Sequence, residues 1–365
     1  MASSRITELA VIVSLNTRKV TDYLESNGMP TPSFSIDAPL NLGIPKEAVE
    51  IDNARRLALA ASIELHDLLQ GPSACLKPVI NGTSLNAIYI YDIASKLKED
   101  PKAMDMAGLM FDECWQSMAR TVDAMRMFKS HEPNQTGHAL AHDTQDNMFD
   151  WLGKHPEKAR RFTSAISTLV PTGRQELFLL REFDWASLGN GTVVDVGGSS
   201  GGVSIQLAKE FQDLDLVVQD LPEAIDGAAE KVPVELRPRV KFMEHDFFTD
   251  QPVVAEAYLF RAIFHNWPDH YCVKILQKLV PALRHGTMII INDGIAAEPG
   301  TLDLLSERNI RAYDMLMMTL FNARERELDD WLGLFTQADK RFKFIGAQSP
   351  DVGTMGVITA IWEDR

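Results

Sequence analysis

A strand pattern that runs directly into a glycine-rich turn constrains the fold of this chain more than any other feature. Residues 192–204 read TVVDVGGSSGGVS, so a β-branched run containing Asp195 ends at four glycines and two serines. A helical pattern then begins near Ile205. Glycine lets the backbone approach a ligand closely, and the start of a helix offers unpaired N–H groups. This strand, turn and helix predict a binding site for a nucleotide-type cofactor.

The composition argues against several classes of partner. The chain has 365 residues, enough for two domains, and a formal net charge of −15. Nucleic acid and anionic membrane surfaces attract basic patches, so we expect neither as a partner. We find no apolar run of membrane-spanning length and no secretory signal, and the three cysteines are too widely spaced for a disulfide framework. These features predict a soluble cytoplasmic enzyme.

The first part of the chain is predicted to be helical. Apolar residues recur at helical spacing in residues 1–27, 46–69, 84–97 and 107–127, and prolines between residues 30 and 45 indicate an extended connector. The apolar faces of these helices favour either a dimer interface or burial against a second domain. We therefore predict a helical N-terminal domain over residues 1–150 and a catalytic domain over residues 151–365.

From residue 192 onward the pattern alternates between strands and helices. The expected strands cover residues 192–196, 215–219, 240–244, 257–264, 287–292, 342–346 and 357–362. Helices separate most of them, which is typical of a mainly parallel sheet with helices on both faces. Only a loop joins the last two, so the final strand should be antiparallel. The predicted fold class is α/β: a doubly wound, Rossmann-like sheet of seven mostly parallel strands, with a helical N-terminal domain.

Polar residues stand at the carboxyl ends of the predicted strands, where open α/β sheets bind their ligands. Asp220 ends the second strand and precedes Leu221, and Asp246 with Phe247 follows the third. An acid at the second strand end can accept both hydroxyls of a ribose, and an acid beside an aromatic ring can hold an adenine. The turn matches a dinucleotide fingerprint imperfectly, because Ser199 replaces a glycine. The residues at these strand ends therefore favour an adenosine-containing cofactor other than a dinucleotide.

Taken together, these motifs resemble one known family. The turn, QDLP at 219–222, HDFF at 245–248, Arg261 four residues before His265, and Asn292-Asp293 occur in the order and spacing of S-adenosylmethionine-dependent O-methyltransferases of the caffeate and flavonoid type, most closely their fungal secondary-metabolite members. The resemblance covers roughly residues 110–365. It implies S-adenosylmethionine as the cofactor, held by Asp195, Gly197, Gly198, Ser199, Gly201, Asp220, Leu221, Asp246, Phe247, Arg261 and Trp267.

The same resemblance implies the chemistry. His265 matches the histidine that takes the proton of a substrate hydroxyl, and Asp293 and Glu325 match the acids that orient its ring. A histidine with an ordinary pKa of about 6.5 is mostly neutral at neutral pH and can accept that proton. An isolated histidine at a strand end is more often a core residue, and Glu325 could instead pair with Arg324 or Arg326. The expected reaction is methyl transfer to a phenolic hydroxyl of a small secondary metabolite.

Two further groups of residues are candidate contacts of an aromatic acceptor. Met315 and Met318 lie on a predicted helix that lines the acceptor pocket in the family, and flexible thioethers suit a flat ligand, although a methionine stripe is more often core. His138 and His142 stand one helical turn apart, a spacing that can chelate a metal ion. No glutamate motif accompanies them, so we expect no metal and favour a contact with the substrate.

The chain departs from the family in its N-terminal part. The residues between Ala94 and Ala107 are too few for the winged helix that relatives carry there. That segment helps to form the family's dimer, so the resemblance implies a homodimer whose geometry this departure leaves open. Two alternatives also stay open: a non-methylating member of the fold, such as a pericyclase or dehydratase, and a cofactor-binding subunit without catalysis. The presence of His265 argues against the second alternative.

Overall fold

The computed structural model describes residues 4–33, 42–70, 101–169, 174–349 and 355–364. The chain folds as two compact units. The first contains Met1–Ala107, Ser164–Thr168 and Pro299–Asn309, and the second contains Gly108–Thr163, Leu169–Glu298 and Ile310–Arg365. The expected division of the chain at residue 150 stays a prediction. The segment that is too short for a winged helix begins at Ala94, and its part before residue 101 lies outside the described residues.

The first unit is built on two long helices, α1 (Arg5–Ser26) and α2 (Val49–Gln70). The guanidinium of Arg5 donates two hydrogen bonds of 2.7 Å to the carboxylate of Glu64. This pair joins the start of α1 to the end of α2, so the two helices run antiparallel. Both helices are where the sequence predicts them, whereas the helix expected over residues 84–97 lies outside the described ranges.

The remaining helices precede or flank the sheet. A continuous helical stretch consists of α3 (Pro101–Gly108), a π-helical segment at Leu109–Cys114, and α4 (Trp115–Met127). The others are α5 (Gly137–Ala141), α6 (Met148–Lys154), α7 (Pro156–Leu169), α8 (Arg174–Glu182), α9 (Gly202–Glu210), α10 (Pro222–Ile225), α11 (Ala228–Lys231), α12 (Asp269–Leu279), α13 (Leu304–Phe321) and α14 (Leu328–Ala338). Among the described residues, none of the helices combines the length and apolarity needed to span a membrane.

The second unit contains a sheet of seven strands in the order β3-β2-β1-β4-β5-β7-β6. The strands are β1 (Thr192–Val196), β2 (Asp215–Asp220), β3 (Val240–Glu244), β4 (Ala257–Arg261), β5 (Met288–Gly294), β6 (Phe342–Gln348) and β7 (Met355–Trp362). Strands β1 to β5 pair in parallel, and β7 runs antiparallel to β5 and β6. The predicted fold class and the antiparallel final strand are confirmed. The strand order reverses between β1 and β4, which is where such sheets bind ligands.

Alternating residues of the strands enter two separate cores, one on each face of the sheet. Val194 and Tyr258 point to the face covered by α12 and α14, whereas Val193 and Leu259 point to the face covered by α8 and α9. All four side chains are fully buried. Strand side chains alternate between faces, so a sheet that is covered on both sides requires the continuous apolar runs seen in the sequence.

One strand ends earlier than the sequence predicts. β4 stops at Arg261 rather than at residue 264, because Ala262 adopts a left-handed φ of 53° and donates its N–H to Asn292 O at 2.9 Å. This conformation is unfavourable for a residue with a Cβ atom. A 3₁₀ turn at Phe264–Asn266 follows. The change of direction places His265 just beyond the carboxyl edge of the sheet.

Candidate active site

The turn between β1 and α9 has no room for side chains at its first glycines. Gly197 has a φ of +73°, and a Cβ atom there would lie 2.5 Å from Ile263 Cδ1. A Cβ atom on Gly198 would lie 2.7 Å from the carboxyl group of Asp195. Real Cβ atoms do not approach other atoms this closely, so only glycine fits these two positions. The turn therefore presents bare backbone at the end of β1, as a closely bound cofactor requires.

Asp195 is buried beneath this turn, with 2% of its surface exposed. Its Oδ2 accepts a hydrogen bond of 2.7 Å from the Ser204 hydroxyl on α9. Burial raises the pKa of Asp195 to about 6, although the hydroxyl of Ser204 favours the ionised form. The carboxyl group therefore connects the end of β1 to the helix that follows the turn.

Asp220 stands at the end of β2, beside the turn. Its Oδ2 accepts the N–H of Ser199 and its Oδ1 accepts the N–H of Leu221, both at 2.8 Å. A carboxylate has about four acceptor sites, so these two bonds leave capacity for two further donors. Burial raises the pKa of Asp220, and the two backbone N–H groups oppose this rise. The arrangement fits a ribose, whose two hydroxyls need such acceptors.

The aromatic residues predicted to hold the cofactor lie next to this turn. The ring of Phe247 is 3.9 Å from the position of a Cβ atom on Gly197, and it meets the ring of Trp267 edge-on at 6.0 Å between centroids. Trp267 is only 7% exposed and stacks on Phe149 at 5.7 Å and on Tyr271 at 5.6 Å. Phe247 is thus the more accessible ring, and Trp267 supports it from the core.

Gly201 ends the turn as the N-cap residue of α9, and the two other predicted cofactor contacts are anchored at neighbouring strand ends. Asp246 accepts the N–H of Phe248 at 2.9 Å, which shapes the loop after β3. Arg261 at the end of β4 donates from Nε to Asn292 Oδ1 on β5 at 3.1 Å. The turn, Asp220, Phe247 and Arg261 therefore border the same edge of the sheet, and this set suits an adenosyl cofactor.

His265, Asp293 and Glu325 come together at that edge. His265 Nδ1 lies 3.1 Å from Glu325 Oε1 and 3.6 Å from Asp293 Oδ1, and the backbone N–H of His265 donates to Asp293 Oδ2 at 3.2 Å. In the neutral imidazole with Nδ1–H donating to Glu325, the other ring nitrogen, Nε2, is left as a proton acceptor. The alternative pairing of Glu325 with Arg324 or Arg326 does not occur. The grouping of these three side chains matches the expectation, and their roles stay a prediction.

The two acids change the protonation of the histidine. Burial alone would lower the pKa of His265, but the charge of Asp293 and the hydrogen bond to Glu325 outweigh it and raise this pKa to about 9. Burial raises the pKa of Asp293, which is fully buried. The imidazole, with 24% of its side chain exposed, is therefore mostly protonated at neutral pH in the chain on its own.

Gly294 is a residue of this site that sequence reasoning missed. A Cβ atom on Gly294 would lie only 2.0 Å from Glu325 Oε2, so a larger residue would push the glutamate away from His265. Asp293 cannot replace that contact, because 3.6 Å is too long for a hydrogen bond. The only signal in the sequence is the position of Gly294 directly after Asp293.

The imidazole of His265 and the carboxylates of Asp293 and Glu325 could also ligate a cation, since their donor atoms lie within 4.8 Å of one another. In the conformation seen, Nδ1 contacts Glu325 Oε1 at 3.1 Å, so a cation held between the three groups would have to displace that hydrogen bond. The absence of a metal from the reaction stays a prediction.

The predicted acceptor contacts fall into two environments. Met315 on α13 is 48% exposed and Met318 is half-buried, so both are accessible to a ligand. His138 is fully buried. The centroid of its ring lies 4.5 Å from that of His142 and 4.9 Å from that of Trp151. Burial and the neighbouring histidines lower the pKa of His138 to about 3, so it is neutral. A contact of either histidine with the substrate stays a prediction.

Comparison with known proteins identifies the family. The family described as the O-methyltransferase domain matches residues 126–341. The grayanic acid biosynthesis cluster O-methyltransferase of Cladonia grayi is 42% identical, over 99% of this chain and 88% of its own length. O-methyltransferase pyvH of Aspergillus violaceofuscus is 40% identical over the full length of both chains.

Solved structures share the fold at lower identity. The O-methyltransferase NcsB1 in complex with S-adenosyl-L-homocysteine and 1,4-dihydroxy-2-naphthoic acid has a TM-score of 0.55 at 24% identity, over 67% of this chain and 69% of that one. A structure described as a pericyclic reaction enzyme has a TM-score of 0.59 at 23% identity, over 72% of this chain and 68% of that one. At such identities the likeness extends to the fold alone. The expected enzyme class and its cofactor S-adenosylmethionine are confirmed by the family: this chain belongs to the O-methyltransferases.

Proposed function

We propose that this chain transfers the methyl group of S-adenosylmethionine to a phenolic hydroxyl of a small secondary metabolite. The observation that carries this proposal is the hydrogen bond between His265 Nδ1 and Glu325 Oε1, which in the neutral imidazole leaves Nε2 to take the proton of a hydroxyl. The names of the relatives support the substrate class: they include a chlorophenol O-methyltransferase and an enzyme of grayanic acid biosynthesis.

His265 acts as the general base, and Asp293 and Glu325 hold its ring and stabilise its protonated form. When bound, the cofactor would supply a methyl group on a positively charged sulfur. The carbon of this methyl group is readily attacked by an oxyanion. A pKa of about 9 makes His265 a strong proton acceptor once it is neutral. A positive charge bound nearby lowers that pKa and so favours the neutral base. Alignment of acceptor and methyl group supplies much of the remaining acceleration.

The carboxyl edge of the sheet would hold the cofactor. The turn would offer its bare backbone, Asp220 would accept hydrogen bonds from the ribose hydroxyls, and Asp246 and Phe247 would hold the adenine. The complete set of proposed contacts is Asp195, Gly197, Gly198, Ser199, Gly201, Asp220, Leu221, Asp246, Phe247, Arg261 and Trp267. Of these, Asp195 and Trp267 are almost fully buried, so they support the site mainly from behind.

The acceptor lies against α13, where Met315 and Met318 offer flexible apolar contacts. His138 lies on α5 and His142 directly follows it; His142 is half-buried and contributes a polar wall, with the fully buried His138 behind it. The bound dihydroxynaphthoic acid of NcsB1 is a flat hydroxylated aromatic acid, the kind of molecule that such a wall suits.

We also propose a cytoplasmic homodimer. Five apolar residues on one helical stretch, Phe111, Trp115, Met118, Val122 and Met125, are between 47% and 68% exposed. They follow one another at alternating intervals of four and three residues, the spacing of a coiled-coil seam. A stripe of this kind is suited to a second copy of the chain. Sedimentation should give a dimer, and Trp115→Glu should give a monomer, whereas Val234→Glu, an exposed apolar residue elsewhere, should not.

The direct test of function is incubation of a panel of phenols, including a chlorophenol, with methyl-labelled S-adenosylmethionine, with EDTA in a parallel sample. We expect label in a product that is heavier by one CH₂ group, with and without EDTA. A product of unchanged mass would favour the non-methylating alternative, and loss of transfer in EDTA would show a metal requirement.

A further inference from the structure

The guanidinium of Arg326 is completely buried, and its hydrogen bonds converge on the loop that carries His265. Arg326 Nη1 donates to Phe264 O and Nη2 to Trp267 O, both at 2.7 Å. Its Nε and Nη2 also donate to Asp269 Oδ1 at 2.9 and 2.8 Å. The accepting carbonyls belong to Phe264, directly before His265, and to Trp267, two residues after it. One side chain therefore holds the backbone on both sides of His265.

The backbone of Arg326 is attached to the strand end that carries Asp293. Ile295 and Arg326 form a parallel bridge, and Ala296 donates its N–H to Arg326 O at 2.8 Å. Glu325 directly precedes Arg326 in the chain. The residue therefore connects the three pieces of chain that carry His265, Asp293 and Glu325.

We propose that Arg326 is a positioning residue that holds His265 in register with its two acids; this inference rests on the proposed role of His265 as the base. An arginine is required because its planar guanidinium offers several donors in a rigid fork, whereas a lysine offers one flexible ammonium group. The positive charge of Arg326 also acts against the rise in the pKa of His265, so it favours the neutral base. Arg326 does not touch the reacting atoms; it acts through the loop.

Arg324 provides a matched control. It lies two residues away and bonds the same aspartate, through Asp269 Oδ2 at 2.9 Å, and it also pairs with Asp330. Its side chain is 46% exposed, and its hydrogen bonds to described residues do not include the carbonyls beside His265. Loss of an exposed ion pair changes stability little.

The test compares Arg326→Lys with Arg324→Lys, measuring kcat, the KM for S-adenosylmethionine, and the affinity for S-adenosylhomocysteine by calorimetry. Loss of a supporting contact behind a reactive group typically costs about 10- to 100-fold in activity. We expect Arg326→Lys to lower kcat by about that factor, with cofactor KM and affinity within about twofold of the original. Arg324→Lys should leave all three values within about twofold.

An Arg326→Lys variant with the original kcat would overturn the proposal, as would parallel losses of kcat and cofactor affinity, which indicate a purely structural role. If Arg326→Lys does not fold, Asp269→Asn loosens the same guanidinium from an exposed position. It should lower kcat severalfold with cofactor affinity kept, and an unchanged kcat would again contradict the proposal.

Failure of the proposed function gives a different result. If the original chain transfers no methyl group to any phenol, the role of Arg326 is read from the imidazole resonances of His265 in an NMR titration. A shifted pKa and altered ring shifts in Arg326→Lys support positioning, and an unchanged titration overturns it.

Discussion

The imidazole of His265 and the carboxylate of Glu325, separated by 60 residues of chain, meet at 3.1 Å between Nδ1 and Oε1. This contact determines which ring nitrogen can accept a proton. Asp293 Oδ1 lies 3.6 Å from the same ring nitrogen, so two acidic side chains surround the imidazole. An acidic surrounding suits a site that receives a positively charged sulfonium.

The affinity for S-adenosylmethionine should depend on the protonation of His265. The histidine pKa of about 9 means that a protonated imidazole repels the sulfonium at neutral pH. Raising the pH from about 7 to about 10 should therefore strengthen binding of S-adenosylmethionine relative to S-adenosylhomocysteine, whose sulfur is neutral. A shift of one pKa unit corresponds to about tenfold in affinity. Calorimetry at both pH values measures the ratio of the affinities for S-adenosylmethionine and S-adenosylhomocysteine. In His265→Asn this ratio should not change with pH.

The same pKa shift makes a prediction about stability. A histidine whose pKa is raised in the fold contributes stability that is complete below its unfolded pKa of about 6.5. This contribution is lost as the pH rises through about 9. The free energy of unfolding should fall over that window more steeply in the original chain than in His265→Asn. Equal slopes in urea titrations would show that the acids do not raise the pKa.

Gly294→Ala should impair catalysis without impairing cofactor binding. The added Cβ atom would collide with Glu325 Oε2 and displace the glutamate from His265. We expect kcat to fall by about 10- to 100-fold, as for other lost supporting contacts, with the affinity for S-adenosylhomocysteine unchanged. Gly346→Ala is the control, because a Cβ atom there meets no atom within 4 Å. A fully active Gly294→Ala variant would remove Glu325 from its orienting role.

Gly197→Ala should weaken cofactor binding. The position combines a φ of +73° with a contact of 2.5 Å to Ile263, so a methyl group must distort the turn. Gly202 begins α9 in open space, and alanine there should be tolerated or slightly stabilising. Calorimetry with S-adenosylhomocysteine should show at least a tenfold loss for Gly197→Ala and about no change for Gly202→Ala. Equal affinities would mean that the turn does not approach the cofactor.

Ser204→Ala should destabilise the fold mainly above about pH 6. The pKa of Asp195 is raised to about 6 by burial, so the fold binds its proton more tightly than the unfolded chain does. Above that pH the buried carboxylate is charged and depends on the Ser204 hydroxyl, a bond worth about 1.5–3 kcal/mol. The loss in free energy of unfolding should be smaller near pH 5. In an Asp195→Asn background the pH dependence of this loss should vanish; its persistence would contradict the assignment.

The sequence predicts the sheet well because the strands are buried on both faces. Val193 and Val194 belong to a short β-branched run next to a glycine-rich turn, and their side chains enter the two opposite cores. The end of β4 could not be predicted, since the left-handed Ala262 and its hydrogen bond to Asn292 depend on a neighbouring strand.

The candidate site was predictable where its residues follow strand ends in a known order, as His265 and Asp293 do. Contacts between distant segments that no family motif marks could not be predicted. Gly294 and Glu325 meet only in the folded chain, and the sequence suggests Arg326 as a partner of Glu325, whereas its guanidinium binds the loop around His265. Burial of His138 likewise depends on the packing of Trp151 and is invisible in a spacing pattern.

The central claim is that His265 activates a hydroxyl for methyl transfer. The most direct measurement compares the original chain with His265→Asn in a single-turnover reaction between labelled S-adenosylmethionine and a phenol from the panel. We expect labelled ether from the original chain, and a loss of about 100-fold or more in His265→Asn with unchanged cofactor affinity. Equal rates of transfer in the two proteins would show that His265 is not the base.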